Sequence, residues 1–325
     1  MLGKDSLKDV IKIDKDSGHI ECPCIGCNTK VLLRTKRTQP LHSNAFHCAR
    51  DHIYIAKSTF EYEDKFENLL WKDDADRSLL ARIGDGKQDD RMARETSEDA
   101  VTWNVFRHLE TSGLLGPWLA SLTGSSVGKS SLIYWSYCDE PSVRGVWPTL
   151  AKARDAFSER KDHPSEPDLI ADTEAGLFWI EAKLTASNKT KPSADAKPEA
   201  YKAGGDRWYS KVIATSFERL AIAEQRYEML RYWLLGTWAA AHLNKPFYLV
   251  SLVRRQSKEN MAGALADHFR KTPERQILST TWEDIYGFLD AIPHRAEHTD
   301  PLLAYMKNKT AGYNSRGVLR GAFAL

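Results

Sequence analysis

Two acidic residues and a lysine lie near the ends of two apolar runs in the middle of the chain. Asp168 begins the first run, and Glu181-x-Lys183 ends the second. Residues 172–176 between them read DTEAG, which predicts a turn with Gly176 at a positive φ. The two runs are therefore predicted to form a β-hairpin.

This hairpin would bring the three charged residues together. Residues two apart share a face of a strand, so Glu181 and Lys183 point the same way. In an antiparallel hairpin the start of the first strand lies opposite the end of the second, which adds Asp168. Mg²⁺ prefers carboxylate oxygens, and a bound metal ion activates water and neutralises charge on a phosphodiester under attack. The three residues therefore predict metal-dependent phosphodiester hydrolysis.

Pro167-Asp168 followed by Glu181-x-Lys183 resembles the signature of the PD-(D/E)xK nuclease superfamily, which includes many restriction endonucleases, resolvases and recombination nucleases. The resemblance implies that Asp168, Glu181 and the carbonyl of Ala182 hold catalytic Mg²⁺ or Mn²⁺, and that Lys183 is the catalytic lysine. It also implies a restriction-endonuclease-like α/β sandwich with a central mixed sheet. The alternative interpretation is a surface hairpin whose charged side chains are merely solvated.

A further acidic residue, Glu98, lies at the start of a helix predicted over residues 96–109. Thr96 and Asp99 have the spacing of a capping box, and an apolar stripe at helical spacing follows. In many nucleases of the superfamily an acid of the first helix joins the metal site, and the resemblance implies this role for Glu98. The alternative is an acid in a first helical turn, which the helix dipole favours.

A second candidate site lies near the N-terminus, where four of the five cysteines are crowded between Cys22 and Cys48. Two pairs, Cys24-x-x-Cys27 and Cys48-x-x-x-His52, have the spacing of ligands for a closed tetrahedral Zn²⁺ site that stabilises a small module. The pattern looks like a zinc ribbon. Two exchanges stay open, Cys22 for Cys24 and His47 for His52, and free buried thiols with surface histidines are the alternative interpretation.

The composition limits the classes of protein that the chain can represent. Its 325 residues carry a formal net charge of +2, so any contact with nucleic acid must be a local patch. The start of the chain lacks a secretory signal, and no apolar segment reaches the ~20 residues of a membrane span. We therefore expect a cytoplasmic protein, with a zinc-ribbon-like module at residues 1–71, a linker at 72–95 and a nuclease-like domain with a helical C-terminal extension at 96–325.

The rest of the chain alternates between the periodicities of strands and helices. The patterns predict a strand over 131–138, a helical insertion over 143–159, a helical region over 208–243, a buried strand over 246–253, and a strand over 276–280 followed by a helix that Thr281 caps. This order is the one expected of an α/β sandwich. The lysine-bearing segment 185–205 is predicted to be mobile, and either closes over DNA or is a loose surface loop.

The preferred interpretation is a Mg²⁺-dependent endonuclease that hydrolyses DNA and acts in bacterial restriction or anti-phage defence. By the resemblance the substrate is double-stranded DNA, and a homodimer is expected. Two alternatives stay open. One is a non-catalytic, zinc-containing protein that binds nucleic acid or serves as an adaptor. The other is a repair or recombination nuclease that acts on branched DNA.

Overall fold

The computed structural model describes residues 1–36, 38–84, 91–140, 143–193, 197–257, 260–293 and 298–325. None of the helices in these ranges combines the length and the apolar character that crossing a bilayer requires.

Short strands build the N-terminal module. Two three-stranded antiparallel sheets are formed by β1 (Ile13–Asp14), β2 (His19–Glu21) and β3 (Lys30–Leu32), and by β4 (His47–Cys48), β5 (Ile53–Ile55) and β6 (Phe60–Tyr62). Their inward side chains form a separate small core that includes Ile20, Val31 and Phe60. A core of this size buries little apolar surface, which is the situation in which small modules use a metal.

Helices and strands alternate in the rest of the chain. In order they are α1 (Asp74–Gly84), α2 (Glu98–Thr111), α3 (Leu115–Thr123), β7 (Ser130–Tyr134), β8 (Tyr137–Glu140), β9 (Val143–Val146), α4 (Pro148–Ala156), β10 (Leu169–Thr173), β11 (Leu177–Ala182), α5 (Pro198–Val212, interrupted at 204–207), α6 (Tyr227–His242), β12 (Phe247–Val253), α7 (Met261–Ala264), β13 (Arg275–Thr281), α8 (Trp282–Asp290), α9 (Thr299–Asn308), β14 (Thr310–Tyr313) and β15 (Leu319–Gly321).

A seven-stranded sheet organises this part of the chain, in the order β13-β12-β11-β10-β7-β8-β9. Strand β12 runs parallel to β11 and β13, whereas the other neighbours are antiparallel. Helices α2, α3, α8 and α9 pack on one face and α4 and α6 on the other, so all six residues of β11 are buried. Burial on both faces explains the continuous apolar runs of the central strands. The predicted α/β class with a central mixed sheet is confirmed.

The local predictions around this sheet are wrong at three points. The strand predicted over 131–138 is two strands, because Trp135 and Ser136 have positive φ values of 44° and 71° and turn the chain between β7 and β8. Helix α2 is capped by Ser97, whose Oγ accepts a hydrogen bond from Ala100 N at 3.1 Å, rather than by Thr96. The segment predicted as helical over 143–159 begins with β9.

Gly176 is required for space rather than for a positive φ. It is absent from the residues with positive φ, so that expectation is wrong. A Cβ at this position would lie 2.8 Å from Tyr248 Cε2 and 3.2 Å from the carbonyl oxygen of Pro246. The turn between β10 and β11 therefore depends on close approach of β12, which a local sequence pattern does not encode.

The segment predicted as a linker carries helix α1, whose Leu80 and Ile83 are buried in the same core as α2. Residues 85–90 of this segment lie outside the described residues. At the other end of the chain, Tyr313 of β14 belongs to the core of the N-terminal module, and its backbone N donates to Ser58 O at 2.7 Å. The predicted linker thus packs into the α/β core, and β14 contacts the module, while the domain boundaries themselves stay a prediction.

Acid should destabilise the fold through His108 of α2. This side chain is fully buried, its Nε2 lies 3.1 Å from Thr299 Oγ1, and burial lowers its pKa to about 4. A folded pKa below the unfolded value of about 6.5 gives stability that is present above pH 6.5 and is lost as the pH falls toward 4. We expect a loss of about 3 kcal/mol across this window, measured by urea unfolding at several pH values.

The matched control is His163, whose side chain is 68% exposed. The variant His108→Gln should lose the steep dependence between pH 6.5 and 4, whereas His163→Gln should keep it. Equal pH slopes in the two variants would contradict the assignment to His108.

Candidate functional site

The β10–β11 hairpin places Asp168 beside Glu181 at one edge of the sheet. The last paired residues are Leu169 and Ile180, so Asp168 and Glu181 are the next pair outward. Asp168 Oδ2 accepts a hydrogen bond from Ala182 N at 2.9 Å, which fixes its carboxylate against the end of β11. The predicted hairpin and the approach of these two acids are therefore found in the structure. The role of the Ala182 carbonyl stays a prediction.

Lys183 lies among several carboxylates. Its Nζ contacts Glu181 Oε1 and lies 3.5 Å from Glu228 Oε2 and 3.9 Å from Glu98 Oε1. Burial alone would lower the pKa of Lys183, but the charges of Glu181 and its neighbours raise it above the ordinary value. The lysine is therefore an ammonium group at neutral pH and acts as a hydrogen-bond donor there.

Glu181 is a buried carboxylate with an unfilled acceptor. Its residue is 2% exposed, and its Oε2 accepts no hydrogen bond within the described part of the chain. Burial, followed by the negative charges of Asp168 and Glu228, raises the pKa of this carboxyl well above its usual value. A buried oxygen without a donor, next to a second carboxylate, fits a bound cation.

Glu98 reaches the same place from the first turn of α2. Its Oε2 accepts a hydrogen bond from Leu184 N, directly after the lysine. Burial raises the pKa of Glu98 to about 7, against the opposing effect of Lys183. Four residues singled out by the sequence, Asp168, Glu181, Lys183 and Glu98, are thus brought together by β10, β11 and α2.

Glu228, in the first turn of α6, belongs to this cluster and was not predicted. An acid in a first helical turn is common because of the helix dipole, so the sequence gives no signal for its role. The backbone N of Glu228 donates to Thr190 Oγ1 at 2.9 Å, and Thr190 N donates to Gln225 O at 2.7 Å. These bonds anchor part of the segment that was predicted to be mobile, of which residues 194–196 lie outside the described residues.

A cleft of about 470 Å³ opens over the cluster. It is lined by Glu98, Asp168 and Glu228, with Arg91 and Arg94 also on its wall. Glu181 and Lys183 reach this lining through the contacts of Lys183 with Glu98 and Glu228. The space above the acids is large enough for a phosphate group and the atoms attached to it.

The N-terminal module contains a second cluster of ligand atoms. The sulfurs of Cys22, Cys27 and Cys48 and a carboxylate oxygen of Asp51 all lie within 4.8 Å of one another. Asp51 Oδ2 is 3.2 Å from the sulfurs of both Cys22 and Cys48, and the sulfurs of Cys27 and Cys48 are 3.7 Å apart. Thiolates with a carboxylate are a ligand set that zinc accepts, so this group could bind a metal such as zinc.

The ligand set differs from the predicted one at two positions. His52 has a φ of 52° and its Nδ1 lies 2.9 Å from Glu63 Oε2, so its side chain leaves the cluster and is 67% exposed. Cys24 contacts the Cys22 thiol but lies outside the group of four. Cys22 and Asp51 therefore take the places predicted for Cys24 and His52. The exchange of Cys22 for Cys24 is one of the two that the sequence left open.

Asp51 has a signal in the sequence that was not used. Cys48-x-x-Asp51 has the same spacing as Cys24-x-x-Cys27, and zinc accepts carboxylate oxygen as well as nitrogen and sulfur. The other open alternative, His47, is not part of the group either, because its Nε2 lies 3.7 Å from Glu63 Oε1.

Comparisons of the chain with family models, with curated proteins and with solved structures found no match. The geometry of the two clusters is therefore the basis for a functional assignment.

Proposed function

We propose that this protein is a metal-dependent endonuclease with a PD-(D/E)xK, restriction-endonuclease-like fold that hydrolyses DNA phosphodiester bonds. The observation that carries the proposal is the convergence of Asp168, Glu181 and Lys183 at one edge of the mixed sheet. The buried, unfilled Oε2 of Glu181 supports a cation at this place, because a buried carboxylate oxygen is rarely left without a partner.

Asp168 and Glu181, with the carbonyl of Ala182, would hold Mg²⁺ or Mn²⁺. When bound, such an ion lowers the pKa of a water ligand and offsets the charge that gathers on the phosphodiester. Glu181 also keeps Lys183 in place, since it contacts the Nζ directly.

Lys183 acts as a donor rather than as a base. Its raised pKa leaves no lone pair at neutral pH, so its Nζ orients the attacking water or donates to an oxygen of the pentavalent phosphorus. Glu98, whose pKa is about 7, can take up a proton at Oε1 near neutral pH. We propose that Glu98 also tunes the metal through a further contact.

The N-terminal cluster would hold a structural Zn²⁺ and so stabilise the module, leaving the chemistry to the carboxylate site. All of its ligands come from the protein, which suits a closed site. By the resemblance of the motif, the proposed substrate is double-stranded DNA, the proposed setting is restriction or anti-phage defence in the cytoplasm, and the active form is a homodimer.

Divalent cations should switch the activity on. We expect a supercoiled plasmid to be nicked in Mg²⁺ or Mn²⁺ and to stay intact in EDTA. Hydrolysis of an unactivated phosphodiester requires the activation barrier to be lowered by well above ~10 kcal/mol, which a pair of carboxylates without a metal cannot supply. Gel analysis of plasmid forms measures this. Nicking that persists in EDTA would exclude the metal mechanism. Binding without cleavage of plasmid or branched DNA in either metal would favour the non-catalytic alternative.

A further inference from the structure

A second, larger cleft of about 820 Å³ adjoins the carboxylate cleft. Trp135 and Glu166 line both of them. Acids outnumber bases in the first cleft, whereas the lining of the second has five arginines and lysines (Arg82, Arg154, Arg160, Lys161 and Arg231) against three acids (Asp155, Glu159 and Glu166). A basic cleft beside a proposed phosphodiester site is placed to bind another part of the same substrate.

The hydrogen bonds of Arg154 in α4 are made to neutral acceptors. Its Nε donates to Ser165 O and its Nη2 to Ser136 Oγ, both at 3.0 Å, and it forms no ion pair within the described ranges. Burial lowers the pKa of Arg154, and the charges of Glu159 and Glu166 only partly oppose this effect. A partly buried guanidinium with neutral acceptors is stabilised by a bound anion, and the planar arrangement of its N–H groups suits phosphate oxygens.

The main buried acid of this cleft is already neutralised. Glu159 Oε1 accepts hydrogen bonds from Arg231 Nε at 3.0 Å and from Ser165 Oγ at 2.6 Å. Glu159 thus forms its ion pair with Arg231, and it acts on Arg154 only through space. Lys161 lies on an exposed part of the cleft wall and has no ion pair in the part of the chain that is described. Five arginines and lysines against three acids leave the lining of the cleft with an excess of two positive charges for a ligand.

The size of the cleft limits what can enter. A volume of about 820 Å³ is that of a site for a molecule of one or two nucleotides. A B-form duplex is too wide to enter a cleft of this volume, because its major groove alone is about 12 Å wide. Tyr137, which is half-buried in the wall, offers a ring to a base. The cleft therefore suits a single strand.

We propose that the second cleft binds a single-stranded segment of the DNA substrate, with Arg154 on one of its phosphates. The inference rests on the proposed function and narrows its substrate. A duplex that carries a frayed end, a flap or a branch supplies both a phosphodiester for the carboxylate cleft and a single strand for the second cleft, whereas a blunt, intact duplex supplies only the first.

The test compares binding of fluorescein-labelled blunt duplex and of the same duplex with a single-stranded branch, by anisotropy in EDTA at several salt concentrations. The variants are Arg154→Gln, Arg154→Lys and Lys161→Gln. The control is Lys152→Gln, an exposed residue of α4 that does not line the cleft. We expect Arg154→Gln to weaken binding of the branched DNA about tenfold and to lower the slope of log K against log salt by about 0.7, the value for one phosphate contact on a single strand.

Arg154→Lys should keep the salt slope, and Lys161→Gln should lower it by a similar amount without disturbing the fold, since this side chain is exposed. Unchanged affinity for branched DNA in both Arg154→Gln and Lys161→Gln would overturn the proposal, as would an equal loss on blunt and branched DNA. Because binding is measured without metal, failure of the nuclease proposal would be visible separately, as absence of nicking in Mg²⁺ by a protein that still discriminates branched DNA.

Discussion

Glutamine in place of Glu181 should lower Mg²⁺-dependent cleavage on the order of a thousandfold, which corresponds to about 4 kcal/mol of transition-state stabilisation. The substitution keeps the shape of the side chain but removes the negative charge that would bind the cation and hold Lys183. Lys183→Ala should have a comparable effect, because it removes the ammonium group that faces the acids. Initial rates of plasmid nicking at saturating Mg²⁺ measure both losses.

The same substitution should leave the metal-free protein as stable as the wild type, or more stable. Burial and the negative charges of Asp168 and Glu228 raise the pKa of Glu181, so a negative charge at this position is unfavourable without a metal. Glutamine removes that charge, so the melting temperature in EDTA should not fall. A large drop in melting temperature together with the loss of cleavage would attribute the effect to misfolding.

Matched controls are available on the same elements. Glu174 is an exposed acid in the turn at the opposite end of the β10–β11 hairpin, and Lys152 is an exposed lysine of α4. Glu174→Gln and Lys152→Ala should keep wild-type cleavage. Full activity in both Glu181→Gln and Lys183→Ala would refute the assignment of the site.

Loss of the metal from the N-terminal cluster should unfold the module. Cys48→Ser removes a sulfur that lies 3.2 Å from Asp51 and 3.7 Å from Cys27. A structural zinc ion contributes about 10 kcal/mol or more to the folding of a small module, which exceeds what a core of this size supplies. We expect the variant to lose one equivalent of zinc in elemental analysis and the NMR signals of β1–β6 to collapse.

The ligand set is tested by neighbouring variants. His52→Ala and Cys24→Ser should retain the equivalent of zinc, because these residues lie outside the group of Cys22, Cys27, Cys48 and Asp51. Cys138→Ala, a buried cysteine of β8, is the control for general effects of removing a thiol. If the His52→Ala variant loses zinc and an Asp51→Ala variant keeps it, the fourth ligand is His52 rather than Asp51.

Local patterns in the sequence predicted the elements that depend on short-range order. The spacing of Glu181 and Lys183 on one strand and the return of the chain at Asp168 follow from the period of two and from the turn, so the hairpin could be predicted. Apolar runs likewise predicted β12, and the capping pattern predicted the start of α8 at Thr281.

Features that depend on contacts between distant elements could not be predicted in this way. Glu228 joins the cluster only because α6 packs on the face of the sheet that carries Glu181, and no spacing in the sequence encodes that distance. Asp51 takes the place predicted for His52 because His52 has a positive φ, which turns its side chain away from the cluster. The turn at Trp135 and Ser136 could not be predicted because both residues lie inside an aromatic run with the pattern of a strand.

The contact of β14 with the N-terminal module has a consequence for biosynthesis. Tyr313 OH donates to Lys8 O across 305 positions of sequence, and Gly312 fits against Ser58 only because it lacks a side chain. A ribosome releases β14 long after the module has emerged, and contacts of such long range form slowly. Nascent chains should therefore complete the N-terminal module only after the last part of the chain has emerged.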